Sequence, residues 1–232
     1  MKHVVVLTGA GMSAESGIST FRDSGGLWDK YKVEDVATPE AFMKNPKLVL
    51  DFYNIRRKEC FNVNPNQGHI GLAQLEKNFN VSVITQNVDD LHERAGSTNV
   101  LHLHGELKKV RSTVDPSLIY ELSADSPEIN IGDKCKKGSQ LRPHIVWFGE
   151  AVPMIENAAA IVETADIMVI IGTSLNVYPA AGLLSYAHES IPVYLIDPKP
   201  VETWRKKVHF IQKGASEGVK ELTSLLMFKA EN

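Results

Sequence analysis

Three groups of residues in this sequence have types and spacings that could do chemistry. The first is "VVVLTGAGMSA", where Gly9, Gly11 and Ala14 follow an apolar run and precede a helical pattern. The spacing fits G-x-G-x-x-A, in which small residues let the backbone approach a pyrophosphate at a helix N-terminus. A tight strand-to-helix turn packed with small residues fits it as well. The second group is histidine, whose unperturbed pKa lies near working pH and suits proton transfer. Among His69, His92, His102 and His104, only His104 is followed by Gly at a strand-to-loop exit. His102, two residues earlier, can share its strand face and is the rival. The third group is "DFYNIRRKE", which puts Tyr53 and Arg56 three apart on one helix face. A guanidinium can clasp a carboxylate with two bonds and a phenol adds a donor. The plainer alternative is an amphipathic helix with Arg56 and Arg57 in water and Tyr53 half-buried.

The elements that must position these groups alternate along the chain. Apolar, β-branched runs lie at 3–8, 81–86, 100–103, 144–148, 167–171, 192–196 and 208–211. Most are continuous rather than alternating, as strands buried on both faces of a parallel sheet require. Helical patterns fall at 66–78, 152–164, 178–188 and 215–227. This order predicts an α/β fold, a Rossmann-like doubly wound parallel sheet that binds ligands at the carboxyl ends of its strands. Two stretches break the alternation. Residues 32–64 read as helices, with Thr38 as a cap and Pro39 in the first turn. Residues 107–143 are polar, with weak apolar spacing. Both are expected to be insertions that build a small module beside the large part, formed by 1–31, 65–106 and 144–232. The whole of 1–232 is then one domain, with a ligand cleft between its parts.

Composition excludes several classes. The chain has 232 residues, 43% hydrophobic and 23% charged, with a net charge of −3. No long basic block is present, so no nucleic-acid surface is implied. Only Cys60 and Cys135 occur, which argues against a disulfide framework and for a reducing compartment. The apolar run from His3 is too short to span a bilayer and lacks signal-peptide anatomy. A cytoplasmic protein without membrane contact is expected. An ordinary hydride-transferring Rossmann enzyme also carries a second strand ending in an acidic residue about twenty positions on. Here that stretch is the polar loop "ISTFRDSGGLWDKYK", so the cofactor half is adapted to something else.

Five motifs, in order, resemble the sirtuins, NAD-dependent protein lysine deacylases. They are "GAGMSAESGISTFR" (9–22), "TQNVDDLHERAG" (85–96), "LHGE" (103–106), "IVWFGE" (145–150) and "GTSLNVYPAA" (172–181). The resemblance covers essentially the whole chain and implies NAD as a consumed co-substrate. It implies that Ala10, Gly11 and Ser13 meet the diphosphate, with Gly9, Glu15, Trp28 and Ala215 among the cofactor's neighbours. Phe21 and Arg22 would lie over the nicotinamide ribose. Gln86 and Asn87 would bond ribose hydroxyls or an ordered water, and Asp89 would accept from the nicotinamide amide. The plainer role for Asp89 and Asp90 is to open a helix at its positive end. Gly172, Thr173 and Ser174 end a buried strand, a normal place for phosphate or ribose contacts.

In the mechanism the resemblance implies, the acyl oxygen attacks the anomeric carbon and nicotinamide leaves. His104 is then the base that helps deprotonate a ribose hydroxyl, and free lysine and O-acyl-ADP-ribose result. Val146 and Phe148 would line the acyl-lysine tunnel, and Gly149 and Glu150 would border an extended peptide. The partners implied are acyl-lysine proteins or peptides, recognised locally rather than by bulk charge. The oligomeric state is left open, and a monomer is compatible.

The departures are informative. Sirtuins typically carry two Cys-x-x-Cys pairs in the second insertion, holding a structural zinc; here 107–143 has only Cys135, with His144 beyond it. One thiolate cannot build such a site, so no metal is expected. A zinc that supplies on the order of 10 kcal/mol needs a replacement. Leu107, Val110, Val114, Leu118, Ile119, Leu122, Ile129 and Ile131 are candidates to pack the segment onto the sheet. Tyr53-x-x-Arg56 resembles the class III sirtuins, which accept succinyl, malonyl or glutaryl lysine. Ser19 stands where the family usually has Pro, and Asp197 where it usually has Asn on the adenosine ribose. Two other functions share this cofactor cleft: protein ADP-ribosylation, and a catalytically weak NAD-binding sensor.

Overall fold

The computed structural model describes residues 1–18 and 30–231. Expectations for Ser19, Phe21, Arg22 and Trp28 therefore lie outside the described residues. In chain order the strands are β1 (His3–Thr8), β2 (Asn80–Thr85), β3 (Val100–His102), β4 (Gly105–Ser112) and β5 (Ile119–Glu121), then β6 (Leu141–Ile145), β7 (Ile167–Ile171), β8 (Val193–Ile196) and β9 (His209–Ile211). The helices are α1 (Gly11–Ala14), α2 (Val33–Val36), α3 (Pro39–Lys44) and α4 (Pro46–Asn62), then α5 (Gln67–Leu75), α6 (Leu91–Ala95), α7 (Ile155–Glu163) and α8 (Ala215–Glu231). The helical pattern at 178–188 forms a 3-10 helix, Ala180–Tyr186.

Six strands make one parallel sheet in the order β3-β2-β1-β7-β8-β9. Alternate residues of β1 face opposite sides, as a pleated strand demands. Val4 and Val6 pack with residues of α5 and α8, while Val5 and Leu7 pack with α7 and the 3-10 helix. All four are fully buried, which is why the run reads as continuously apolar. From β1 the chain builds to one side, then returns through β7 to the other. The strand order thus reverses between β1 and β7, where a crevice opens at the carboxyl ends. Thr8 pairs with Ile171, so the turns that follow the two strands meet there.

The first insertion folds as α2, α3 and α4. Thr38 accepts a bond from the Ala41 amide at 3.0 Å with Pro39 in the first turn, and Asn45 does the same for Leu48 at 3.1 Å ahead of Pro46. Each such cap contributes about 1 kcal/mol.

The second insertion is more ordered than its polar sequence predicts. Strands β4, β5 and β6 form an antiparallel sheet in the order β5-β4-β6. This sheet begins at Gly105 and closes through Ile145, so the strand expected at 144–148 ends early and belongs to the small module. The expected packing is also corrected. Leu107, Val110 and Ile129 are buried, Leu118 and Leu122 are half-buried, and Val114, Ile119 and Ile131 are exposed. The buried ones pack against Val49, Leu50 and Phe52 of α4 rather than against the parallel sheet.

Polar bonds complete that seam. Arg57, placed in water by the plainer reading of α4, is fully buried. It donates from Nε to the Leu107 carbonyl at 2.5 Å and from Nη1 to Asn54 Oδ1 and the Pro127 carbonyl, both at 2.8 Å. Asn54 in turn donates to the Ile129 carbonyl at 2.9 Å and accepts from the Ile129 amide at 3.1 Å. The residues present do not fit a zinc ion. The Cys135 thiol donates to Ser112 Oγ at 3.2 Å, and no group of three metal-ligating side chains occurs among the described residues.

Candidate active site

The crevice at the β1/β7 switch point continues into the seam between the two parts as a cleft of about 650 Å³. Its first wall is the glycine turn after β1. The Gly9 amide donates to the Ile171 carbonyl and the Gly11 amide to the Gly172 carbonyl, each at 2.9 Å. A Cβ on Gly11 would lie 2.7 Å from Gly172 Cα, and Gly172 itself has φ +63°. The glycines therefore let two loops close on each other, and that packing presents the turn to the cleft.

Behind the turn lies a buried polar cluster. Asn87 spends both amide protons, on the Gly9 carbonyl and on Ser13 Oγ, each at 3.0 Å. Only its Oδ1 remains to accept from a ligand hydroxyl. Ser13 donates its hydroxyl proton to Asp89 Oδ2 at 2.9 Å, so that proton is not available to a diphosphate. The other Asp89 oxygen accepts from the Leu91 amide at the start of α6, which is the plainer role expected for it. Burial raises the Asp89 pKa even against these two bonds. Gln86 donates to Thr173 Oγ1 at 3.1 Å, which ties the wall after β2 to that after β7.

The histidines separate cleanly. His104 lines the cleft, and its Nδ1 lies 3.0 Å from the Gln86 carbonyl. A carbonyl can only accept, so Nδ1 carries the proton and Nε2 keeps its lone pair. Burial lowers the His104 pKa. His102 has no such freedom. Its Nδ1 meets the Asn87 carbonyl at 3.0 Å and its Nε2 meets Glu93 Oε1 at 2.8 Å. Two acceptors demand two protons. Burial opposes the charge, but the Glu93 bond and charge outweigh it and the His102 pKa is raised. His69 and His92 are buried, with rings 4.8 Å apart; burial pushes His69 down to about 4 and holds His92 well below its usual range.

Tyr53 and Arg56 face the same cleft from α4. Tyr53 is buried, not half-buried, and its hydroxyl accepts from Trp147 Nε1 at 3.1 Å. The Arg56 guanidinium sits 5.7 Å from the ring centroids of both Phe52 and Tyr53. Burial lowers the Arg56 pKa while the Tyr53 and Glu59 charges act the other way. Cys60, one turn on, also lines the cleft, but burial among the Asp89 and Asp90 charges pushes its thiol up to about 12.

Val146, Phe148, Gly149 and Glu150 line the outer cleft. The Val146 amide donates to the His104 carbonyl at 2.9 Å, which locks this segment to the residue that carries the imidazole. Glu150 is already committed: it takes two bonds from Arg142, at 2.7 and 3.0 Å, and one from the Trp147 amide at 2.8 Å. Gly172, Thr173, Ser174 and Asp197 lie along the far wall. Glu15 lines the cleft and accepts from the Ser216 amide at 3.2 Å. Ala215 is buried in the core under the sheet instead, and Gly214 takes its place at the wall. Trp147 and Lys199 are wall residues that sequence reasoning passed over. A buried indole needs a partner for its N–H, which was the available signal for Trp147.

Fold and cleft together define a Rossmann-like nucleotide-binding protein with a neutral imidazole set against the nucleotide wall. The Sir2 family model matches residues 9–179, and the chain belongs to the Sir2 family. It is 65% identical over 231 residues to an NAD-dependent protein deacylase of Bacteroides thetaiotaomicron, covering 98% of this chain and 99% of the relative. It is 57% identical over 199 residues to one from Helicobacter pylori, covering 86% of each. A solved Sir2 homologue–NAD complex superposes with a TM-score of 0.88 at 42% identity, over 98% of this chain and 90% of that one. A Sir2 complex with a deacetylated peptide and 3′-O-acetyl ADP-ribose gives 0.82 at 28% identity, over 96% and 92%.

Proposed function

We infer that this chain is an NAD-dependent protein lysine deacylase whose acyl pocket accepts succinyl and malonyl groups as well as acetyl. The observation that carries the acyl preference is that Tyr53 and Arg56 face one cleft with His104 and the glycine turn. Bound NAD supplies an electrophilic ribose carbon and carries the acyl group away. The rest falls to the chain. Ala10 and Gly11 present backbone to the diphosphate, with Lys199 as a nearby positive charge and Asp197 as an acceptor for ribose hydroxyls. Asn87 offers Oδ1 to a ribose hydroxyl, and the Asp89 carboxyl accepts from the nicotinamide amide. His104 takes the ribose proton at Nε2, the one imidazole in the cleft whose tautomer allows it.

Val146 and Phe148 sheathe the lysine stem and exclude water, while Gly149 borders the peptide. Glu150 shapes this border from its Arg142 clamp rather than by touching substrate. An acidic acyl group reaches past His104 to Arg56, where a charge-assisted bond is worth about 1.5–3 kcal/mol. The partners are acyl-lysine proteins, and the buried, unpaired cysteines suit action in the cytoplasm. The test is to incubate the protein with NAD and acetyl-, succinyl- or malonyl-lysine peptides and identify every product by mass spectrometry. Free lysine, nicotinamide and O-acyl-ADP-ribose are expected from all three. ADP-ribose attached to protein would point to a transferase, and no turnover to a sensor.

A further inference from the structure

The Tyr53 hydroxyl has one proton, and the direction of that proton decides whether it can hold an acyl carboxylate. Trp147 Nε1 lies 3.1 Å from the Tyr53 oxygen. An indole N–H can only donate, so Tyr53 must accept there. Two protons cannot face each other across one hydrogen bond, and the phenolic proton is left to point elsewhere. Tyr53 lines the cleft together with Arg56, so a carboxylate lying against Arg56 is the acceptor within its reach.

The indole is held for this task by a stacked cation and a packed ring. The Arg142 guanidinium stacks on it at 3.4 Å from the ring centroid, and Phe42 packs at 5.3 Å. Arg142 forks onto Glu150, Glu150 accepts from the Trp147 amide, and Arg111 of β4 lies 3.5 Å from the same carboxylate. The small antiparallel sheet thus reaches the acyl pocket through one fixed donor. A hydroxyl that accepts one bond while donating another is polarised and donates more strongly.

We propose that Trp147 is a specificity-positioning residue, whose indole N–H turns the Tyr53 hydroxyl so that its proton serves acidic acyl groups. The proposal rests on the acid-pocket reading of Tyr53 and Arg56. Acetyl-lysine carries no carboxylate to receive that proton, so Trp147 acts on the ratio between substrates.

The test is kcat/KM for matched succinyl- and acetyl-lysine peptides with Trp147→Phe, Tyr53→Phe and the double variant. Trp147→Phe keeps an aromatic ring and removes the donor. It should lower the succinyl-to-acetyl ratio about two- to tenfold, the range for a neutral hydrogen bond. In the Tyr53→Phe background the same change should leave the ratio where it was, because no hydroxyl remains to orient. Equal losses for both peptides, or the same drop in ratio with and without the Tyr53 hydroxyl, would overturn the proposal. Arg56→Met separates the two ideas. If it lowers the ratio and Trp147→Phe does not, the acid pocket stands and this inference fails; if Arg56→Met leaves the ratio unmoved, the pocket itself fails. The wild-type protein offers a reading that depends on no variant folding. The Trp147 indole N–H resonance, assigned with Trp28→Phe and Trp204→Phe, should move downfield with succinyl peptide more than with acetyl peptide. Equal shifts would count against the proposal.

Discussion

His104 donates its Nδ1 proton to the Gln86 carbonyl at 3.0 Å, and that single bond decides which nitrogen can act as a base. The neighbouring His102 grips the next carbonyl, that of Asn87, and spends its second proton on Glu93. Two histidines two residues apart therefore differ in what their rings have left: His104 keeps an Nε2 lone pair, whereas His102 has an acceptor on each ring nitrogen. His104→Ala should lower deacylation at least about a hundredfold, the lower range for losing a positioned acid–base group, with NAD binding retained. His102→Ala should instead loosen the 86–93 loop. Near wild-type turnover in His104→Ala, with turnover abolished in His102→Ala, would reverse the assignment.

The two histidines also predict opposite pH behaviour. Burial holds the His104 pKa below its ordinary 6.5, so the neutral base persists as pH falls through that value. His102, with its pKa raised by Glu93 against the opposing effect of burial, would lose its proton only above 6.5. The acid limb of kcat/KM, which reports the free enzyme, should have its midpoint below 6.5. A midpoint above that value would implicate the charged histidine.

The small module should stand without zinc, because Arg57 and Asn54 tie it to α4 through four carbonyl and amide partners of the 107–129 segment. Elemental analysis should find no stoichiometric zinc, and a strong chelator should leave Tm unchanged. Arg57→Met strands buried carbonyls that cost about 1–3 kcal/mol each, so urea unfolding should show a loss of about 3 kcal/mol. One zinc per chain with melting on chelation, or a loss below about 0.5 kcal/mol for Arg57→Met, would contradict this account.

What was legible in the sequence followed burial on two faces. Strands such as Val4–Leu7 are apolar at every position because helices cover both sides, and such runs stand out. Strands β4 and β5 were missed because only one residue in two or three faces α4, so "GELKKVRS" reads as a polar loop. Arg57 was misplaced for a related reason. A guanidinium is ordinarily solvated, and only the convergence of distant carbonyls makes its burial tolerable. The glycine turn, His104 and the Tyr53–Arg56 face were readable because their spacing is local. Trp147 was not, since its partner Tyr53 lies 94 residues away.

The measurement that bears most directly on the cleft as a reader of acyl charge is a matched pair of peptides differing only in acetyl or succinyl. They are assayed with wild type, Arg56→Met and Tyr53→Phe at saturating NAD. Arg56→Met should cost succinyl-lysine about ten- to hundredfold in kcat/KM, the value of a charge-assisted bond of about 1.5–3 kcal/mol. Acetyl-lysine places only a methyl group near that guanidinium, so its loss should be several-fold at most. Tyr53→Phe should act in the same direction but more weakly, because it removes a neutral donor and keeps the ring. Equal losses for the two peptides would show that Arg56 supports α4 rather than binding a carboxylate, and the protein would then be a general deacetylase.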